Sequence, residues 1–220
     1  MNIWDEIAYR YESWFETPLG KRADRAERNA LLSLLEDFEG RYALEVGIGT
    51  GHFGCMLARR FDLVGLDLSA GMLRIARERC GDDLLGLVRG DALRLPFKDG
   101  IFDLVYAITV LEFLGDPRKA IGEMFRVTKK GGGVLLGVLN KRSSWAKKKK
   151  PGTIYEKAHY FELGELLPLL RSRGRTVWTS AVFFPPKEIL SRFSVILEPL
   201  GRLLRRDRGA LLFFLTIKGR

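Results

Sequence analysis

An apolar run at residues 42–46 passes directly into three alternating glycines, Gly47, Gly49 and Gly51. Beyond them, apolar residues recur at three- and four-residue spacing, as on one face of a helix. Glycines at such a turn let the backbone take positive φ and leave room for a group pressed against it. Free N–H groups at the start of the helix attract an anionic group. The stretch therefore predicts a strand, a sharp turn and a helix start that together hold a ligand.

The same alternation of strand and helix continues along the chain. Strands are predicted at 42–46, 62–66, 84–89, 102–108, 134–139, 175–184 and 210–217. Helices are predicted at 51–60, 70–79, 117–127, 162–172 and 187–204. Gly131, Gly132 and Gly133 are predicted to break the chain before the fifth strand. Repeated βα units predict an α/β sandwich of three layers, and two successive strands at the end predict an antiparallel finish to a mostly parallel sheet.

One domain is expected, because 220 residues with 46% hydrophobic content suit a single core. Residues 1–40 are predicted to form a helical N-terminal cap, interrupted near Pro18 because proline is unfavourable inside a helix. Its aromatic residues serve either plain packing or a lid over the glycine turn. The polar stretch 141–161 is longer than a connection needs, which indicates a substrate-side loop.

The composition limits where the protein acts. No stretch reaches the roughly 18 apolar residues of a membrane span, and no signal peptide is seen, so a cytoplasmic location is expected. Cys55 and Cys80 are interpreted as isolated, buried thiols. The absence of glutamine, with abundant Arg and Glu, favours a thermophilic source. The net charge of +10 reflects solvated faces, or contact with an anionic substrate, nucleic acid or a membrane surface.

Three predicted strands end in an acid: Glu45, Asp67 and Asp91. Ligands of open α/β sheets bind outside the carboxyl ends of the strands, so the three carboxylates are predicted to face one crevice. Asp67 suits two hydrogen bonds to a ribose diol, and Asp91 can accept from an exocyclic amine such as that of adenine. Each acid alone could instead be a loop residue or a helix cap.

These blocks resemble the class I, Rossmann-like S-adenosylmethionine-dependent methyltransferases over residues 44–140. The resemblance rests on Glu45–Gly51, Val64–Ser69, Gly90–Ala92, Phe102–Val105 and Lys130–Gly132. It is nearest to the branch that includes quinone-biosynthesis and small-molecule methyltransferases, whose cofactor-covering helix is similar to Ile7–Phe15. The resemblance implies S-adenosylmethionine as cofactor and S-adenosylhomocysteine as product.

The resemblance also implies roles for individual residues. Asp67 would hold the ribose hydroxyls, and Glu45 would face the ammonium group of the cofactor. The implied cofactor-binding residues are Tyr11, Trp14, Glu45, Gly47, Gly49, Thr50, Gly51, Asp67, Leu68, Met72, Asp91, Ala92, Ile108 and Thr109. No metal site is predicted.

The acceptor is less constrained than the cofactor. Glu112 matches a position that faces the acceptor in this branch, and His159 in the loop is a second candidate for catalysis. Further acceptor contacts are expected from Tyr11, Trp14, Trp145, Tyr155 and Tyr160. A small-molecule acceptor is favoured over nucleic acid, because residues 107–112 lack the Asn/Asp-Pro-Pro-aromatic motif typical of adenine and glutamine N-methylation in this superfamily, and neither cysteine follows a proline as cytosine methylation requires. Transfer is expected by in-line displacement, for which the site needs only to align donor and acceptor and exclude water.

Two other functions satisfy part of the pattern. Gly49-x-Gly51-x-x-Gly54 also fits the dinucleotide fingerprint, so a nicotinamide-dependent oxidoreductase is one alternative. The oxidoreductase hypothesis leaves Glu45, Gly47 and Asp91 without a role. The other alternative is a non-catalytic module that binds RNA or protein through its basic surface.

Overall fold

The fold is built on one seven-stranded sheet, as seen in a computed structural model that describes residues 3–148 and 152–219. The strands are β1 (Tyr42–Val46), β2 (Asp62–Asp67), β3 (Gly86–Arg89), β4 (Phe102–Ile108), β5 (Thr128–Leu139), β6 (Gly174–Ala181) and β7 (Leu211–Lys218). Their order in the sheet is β3-β2-β1-β4-β5-β7-β6. In this described sheet β7 runs opposite to the other six strands, so the predicted antiparallel finish is confirmed.

Helices cover both faces of the sheet. They are α1 (Ile3–Tyr11), α2 (Ser13–Glu16), α3 (Pro18–Leu34), α4 (Gly54–Leu57), α5 (Ala70–Cys80), α6 (Pro117–Val127), α7 (Leu163–Arg171), α8 (Glu188–Ser191) and α9 (Ser194–Leu204). Because side chains alternate across a strand, Leu44 and Val105 pack against α6 and α7, whereas Ala43 and Leu104 pack against α3. The result is the predicted three-layer α/β sandwich.

The carboxyl ends of the strands meet at one edge. Val46 pairs with Leu66, Ile108 with Gly137, and Leu139 with Leu211, which in turn pairs with Ala181. This edge therefore carries the glycine turn, Asp67, the turn after β4 and the segment that follows β6. We call it the crevice edge.

The largest departures from the predicted boundaries concern three elements. The helix expected at 51–60 is shortened to α4, because its first residues form the glycine turn. Gly131–Gly133 do not break the chain: β5 begins at Thr128, and the glycines accommodate an irregular register opposite Phe102–Leu104. The helix expected at 187–204 is divided between α8 and α9.

The interpretation of the cysteines as free thiols was wrong. Cys55 and Cys80 form a disulfide that joins the α4 helix to the end of α5. The bond lies beneath the glycine turn, where a Cβ on Gly51 would stand 2.7 Å from the Cys80 Sγ atom. Two cysteines 25 residues apart carry no local pattern, so only the packing of α4 on α5 brings them together.

None of the helices in the described ranges has the length and apolar content needed to cross a bilayer.

Candidate functional site

The glycine turn bends the chain away from the sheet directly after β1. The N–H groups of Gly47 and Ile48 both donate to the carbonyl of Leu66, at 2.7 and 3.0 Å. Gly47, Gly49 and Gly51 all take positive φ, as the sequence pattern predicts. At Gly49, where φ is +55°, a Cβ would meet no atom within 4 Å, so its backbone borders open space. This is the position at which a ligand can lie against bare backbone.

Asp67 closes the other side of that space. Its Oδ2 atom accepts from the Gly49 N–H at 2.9 Å, and its Oδ1 atom accepts from the Ser69 N–H at 2.9 Å. Burial raises the pKa of the carboxyl, and the nearby Asp5 adds to the rise. The N–H of Leu68 is a further backbone donor to this carboxylate, whose two oxygens together offer about four acceptor sites. The carboxylate therefore keeps acceptor capacity for the hydroxyls of a ribose.

Glu45 is buried under the turn. Its Oε2 atom accepts from the Tyr106 hydroxyl at 3.1 Å, and a Cβ on Gly54 would stand 2.7 Å from the same oxygen. Burial raises the pKa of Glu45 well above its usual range. The side chain that was expected to face a ligand ammonium thus packs between β4 and the start of α4.

The other residues near β2 and β3 that the resemblance assigns to the cofactor lie partly at the surface and partly in the core. Leu68 is 53% exposed beside Asp67, whereas Met72 and Ala92 are buried. The Oδ1 atom of exposed Asp91 accepts from the Leu93 N–H at 2.9 Å. Asp91 therefore closes a turn, one of the two roles that the sequence left open, while Leu68 is the apolar side chain available at the crevice edge.

The N-terminal cap is fixed to the start of α5 by Asp5. Its Oδ1 atom accepts from the Ser69 hydroxyl at 2.5 Å and from the Gly71 N–H at 2.9 Å. Ser69 itself caps α5 by accepting from the Met72 N–H. A carboxylate at this helix N-terminus is also favoured by the helix dipole. The cap thus lies next to Asp67, over the residues that border the crevice.

Glu12 makes a second attachment of the cap, to the glycine turn. It accepts a short hydrogen bond from the Thr50 hydroxyl and pairs with the Arg79 guanidinium at 2.5 Å. Burial alone raises its pKa, but His52, Thr50 and Arg79 outweigh burial and lower the pKa to about 2. Thr50 is consequently occupied by the cap, although the resemblance assigns it to the cofactor.

His52 supports this attachment from below. Its Nε2 atom lies 2.6 Å from Asp24 Oδ1, and its ring stacks on Phe15 with centroids 3.7 Å apart. Burial lowers the pKa of His52, but the neighbouring carboxylates of Asp24 and Glu12 outweigh it and raise the pKa. His52 therefore ties the cap to α3 rather than lining the crevice.

The backbone is strained where β4 ends. Thr109 takes φ of +52°, a left-handed conformation that is costly for a β-branched residue. The Thr109 N–H donates to the Gly137 carbonyl at 2.8 Å, which holds the turn against β5. Ile108, just before it, is buried. The chain thus turns sharply at the crevice edge and delivers Glu112 into the interior.

Glu112 is the most unusual acid of the site. It is 2% exposed, its Oε1 atom accepts from the Leu139 N–H, and its Oε2 atom has no hydrogen-bond partner in the described structure. Burial raises its pKa to about 7. Burial raises the pKa of the half-buried Tyr160, and the charge of Glu112 adds to the rise. A carboxyl with one free oxygen and a pKa near neutrality is able to accept a proton from a bound molecule.

Aromatic side chains surround this region and come from three separate segments. The ring of Phe113 contacts Trp4 of the cap at 4.8 Å and Tyr155 of the loop at 6.1 Å, measured between centroids. Trp14 contacts Trp145 at 5.9 Å, and the Trp145 Nε1–H donates to the Phe184 carbonyl. The cap and the 141–161 loop therefore meet over the end of β4, as a lid would.

His159 lies at the outer side of the same loop. Its side chain is exposed and its Nε2 atom lies 3.1 Å from Glu165 Oε1, whereas its backbone N–H donates to the Glu112 carbonyl at 2.9 Å. The backbone, rather than the imidazole, links it to Glu112. The side chain of Tyr11 and the residues Lys149 and Lys150 lie outside the described residues.

The sequence indicated the cap as a possible lid, but it did not predict the contacts of Asp5, Glu12 and Trp4. Their partners are 64, 38 and 109 residues away along the chain, at Ser69, Thr50 and Phe113. Nothing in the local sequence separates Asp5 and Glu12 from Glu6 and Glu16, the other carboxylates of the same segment.

Comparisons with known proteins agree with this geometry. A family model described as a methyltransferase domain matches residues 44–136. An uncharacterised protein of Methanocaldococcus jannaschii is 34% identical over 179 residues, which cover 79% of this chain and 81% of that protein. A demethylmenaquinone methyltransferase of Bacteroides fragilis is 28% identical over 195 residues, or 86% of this chain and 79% of that enzyme.

A solved structure extends the similarity over nearly the whole length. It is a SAM-dependent methyltransferase of Thermotoga maritima, described as a possible histamine N-methyltransferase, with 27% identity and a TM-score of 0.78. The alignment covers 98% of this chain and 98% of that one.

Proposed function

Because the chain belongs to the class I S-adenosylmethionine-dependent methyltransferases, near their quinone-biosynthesis branch, we propose that it methylates a small-molecule acceptor. The proposal rests on one observation: two separate features lie at the same crevice edge. One is bare backbone at Gly49 beside Asp67, and the other is the free oxygen of buried Glu112. Membership of this family also argues against the alternative that the protein is a nicotinamide-dependent oxidoreductase.

The residues present fit the cofactor of this family. Open space at Gly49 leaves room for it, and Asp67 retains acceptor capacity for ribose hydroxyls. When bound, S-adenosylmethionine supplies a methyl group already activated by a sulfonium, which we propose is passed on by in-line displacement. Asp67 fixes orientation, the cap held by Asp5 and Glu12 excludes water, and no nucleophilic side chain is required.

We assign the role of general base to Glu112 for an acceptor that arrives protonated. Its pKa of about 7 places it near the operating pH, and the unpartnered Oε2 atom can take the proton. His159 was the other candidate, but its imidazole is exposed and paired with Glu165. The side chains in contact around Phe113 are aromatic, which favours a planar or apolar small molecule over a nucleic acid backbone.

The decisive experiment is a screen for labelled-methyl transfer from S-adenosylmethionine into quinones, phenols, amines, lipids, tRNA and protein. Transfer into one small-molecule class, lost in Glu112→Gln with cofactor binding retained, is the expected result. Transfer only into tRNA or protein would overturn the proposal of a small-molecule acceptor.

We also propose an intracellular location in a thermophilic source. The Cys55–Cys80 disulfide supports the thermophilic source, because intracellular proteins of hyperthermophiles keep disulfides that are reduced in the cytosol of mesophiles. The glutamine-free, charge-rich composition points the same way. An unfolding midpoint above about 80 °C, lowered by a reductant, is the expected observation.

A further inference from the structure

The connection between β6 and β7 is far longer than its geometry requires. The two strands pair directly up to Ala181 and Leu211, a separation that a hairpin of about two to five residues can close. Instead, residues 182–210 intervene and contain α8 and α9. We call this segment the insertion. It leaves and rejoins the sheet at the crevice edge.

The apolar side of α9 faces solvent. Val195 is 81% and Leu203 80% exposed, and Ile189 on α8 is 74% exposed. Half of the large apolar side chains that are exposed in the described structure belong to this short stretch. We call them the apolar patch: Ile189, Leu190, Phe193, Val195, Ile196, Leu200, Leu203 and Leu204. An exposed surface of this kind marks an interaction site.

The orientation of α9 is fixed by its inward side, where Leu197 packs against the core. Glu198 points inward and accepts from the N–H groups of Val182 and Phe183, at 3.2 and 2.6 Å. Gly201 packs on Phe183, where a Cβ would stand 2.3 Å from the ring. Rolling the helix to bury its apolar side would break these contacts. The apolar patch is therefore built into the fold.

Cations flank the apolar patch at both ends. Lys187 and Arg192 are exposed on the α8 side, and Arg205 and Arg208 are exposed beyond α9. Two of the three acids of residues 187–208 are engaged, since Glu198 faces inward and Asp207 pairs with Arg142 at 2.7 Å. Lys187, Arg192 and Arg205 form no ion pair with any carboxylate in the described ranges. The result is an apolar face bordered by free positive charge.

We propose that the insertion docks the protein onto an anionic lipid surface, with the apolar patch in the interface and the flanking cations on the headgroups. An exposed apolar helix face bordered by Arg and Lys is the arrangement that binds at a bilayer surface without spanning it. A second copy is the poorer occupant, because an isologous contact would bring the same cations face to face. The proposal does not depend on the identity of the methyl acceptor.

The test is co-sedimentation of the full chain with phosphatidylglycerol-containing vesicles and with pure phosphatidylcholine vesicles. We expect binding to the anionic vesicles that weakens as salt is raised. The variant Val195→Ser/Ile196→Ser/Leu203→Ser should weaken partitioning about a hundredfold, and Arg192→Glu/Arg205→Glu by at least about thirtyfold. Matched controls are Leu85→Ser/Ile101→Ser/Val177→Ser and Arg118→Glu/Arg171→Glu, which change exposed residues elsewhere and should bind as the unchanged chain does.

Several outcomes would overturn the proposal. They are no binding to anionic vesicles, equal binding by the patch variant, and a dimer in sedimentation equilibrium that the patch variant abolishes. Titration of every variant with S-adenosylhomocysteine is the control, because the altered side chains lie outside the crevice. A variant that binds S-adenosylhomocysteine normally is folded, so its loss of vesicle binding is not due to misfolding. If the unchanged chain does not bind S-adenosylhomocysteine, the methyltransferase proposal fails, whatever the vesicle result.

Discussion

The two halves of the crevice edge are built by different means. The half formed by β1 and β2 consists mainly of backbone: N–H groups of the glycine turn and a single carboxylate, Asp67, with no side chain over Gly49. The half formed by β4 and β5 consists of side chains from three segments around Glu112 and Phe113. A site built from backbone suits a cofactor that is the same in every reaction, whereas a site built from side chains can be changed by substitution to bind different acceptors.

Replacing Asp67 should have the largest effect, and only on the cofactor half. Asp67→Ala removes the acceptor for the ribose hydroxyls, so S-adenosylhomocysteine should bind about 100- to 1,000-fold more weakly. Isothermal titration calorimetry measures this change. Asp62→Ala, which removes an exposed carboxylate from the opposite end of the same strand, is the control and should bind normally. Unchanged affinity in Asp67→Ala would refute the assignment.

Replacing Glu112 should affect the acceptor half alone. Glu112→Gln should lower kcat about 100-fold while leaving S-adenosylhomocysteine affinity unchanged. With a pKa of about 7, the carboxyl is deprotonated above neutrality, so kcat of the unchanged chain should rise between pH 6 and 8 and then level off. The variant should lack this rise. An identical pH profile in the two proteins, measured with the acceptor found in the screen, would remove Glu112 as the base.

Alanine substitutions at two glycines separate the effect of backbone strain from the effect of ligand contact. Gly49 and Gly81 share φ of +55° and an open Cβ position, but only Gly49 borders the crevice. Alanine should lower the free energy of unfolding at both positions, and more at Gly81, whose ψ of −129° lies outside the left-handed helical region. Gly49→Ala should in addition weaken cofactor binding about tenfold, and Gly81→Ala should not. Equal affinities in the two variants would show that the ligand does not approach Gly49.

The smallest effect is expected at the attachment that the cap makes to the cofactor half. The pKa of Glu12 is lowered to about 2, so its contribution to stability is present above pH 4.5 and disappears as the pH falls towards 2. Glu12→Gln should therefore reduce the free energy of unfolding at pH 7 by about 1–2 kcal/mol, with the difference vanishing near pH 2. Chemical denaturation at several pH values measures it. A difference that does not vary with pH would contradict the ionic role.

The same division explains what the sequence could predict. The succession of strands and helices along the chain, the positive φ of Gly47, Gly49 and Gly51, and the place of Asp67 at the end of β2 follow from local spacing, because each depends on neighbours along the chain. The disulfide and the Thr50–Glu12 contact depend on segments that meet only after folding. Glu112 was located by resemblance, but its free oxygen and raised pKa required the packing of β5 beside it.

Local rules failed where tertiary contacts overrode them. A triple glycine predicts a break, yet β5 passes through Gly131–Gly133 because Gly133 pairs with Leu104 of β4 on one side and with Ile217 of β7 on the other. The apolar spacing of 51–60 predicts a helix, yet its first residues are held in the turn by the Gly51 N–H bond to Ile48. Residue spacing alone cannot show which of these interactions prevails.

The sheet order has a consequence for synthesis on the ribosome. β7 is made after β6 but lies between β5 and β6, and in the described sheet β6 has no other neighbour. A nascent chain that stops short of Leu211 therefore presents two bare strand edges, one on β5 and one on β6. Such edges invite pairing with other chains, so the growing polypeptide needs protection until the last strand emerges and closes the gap.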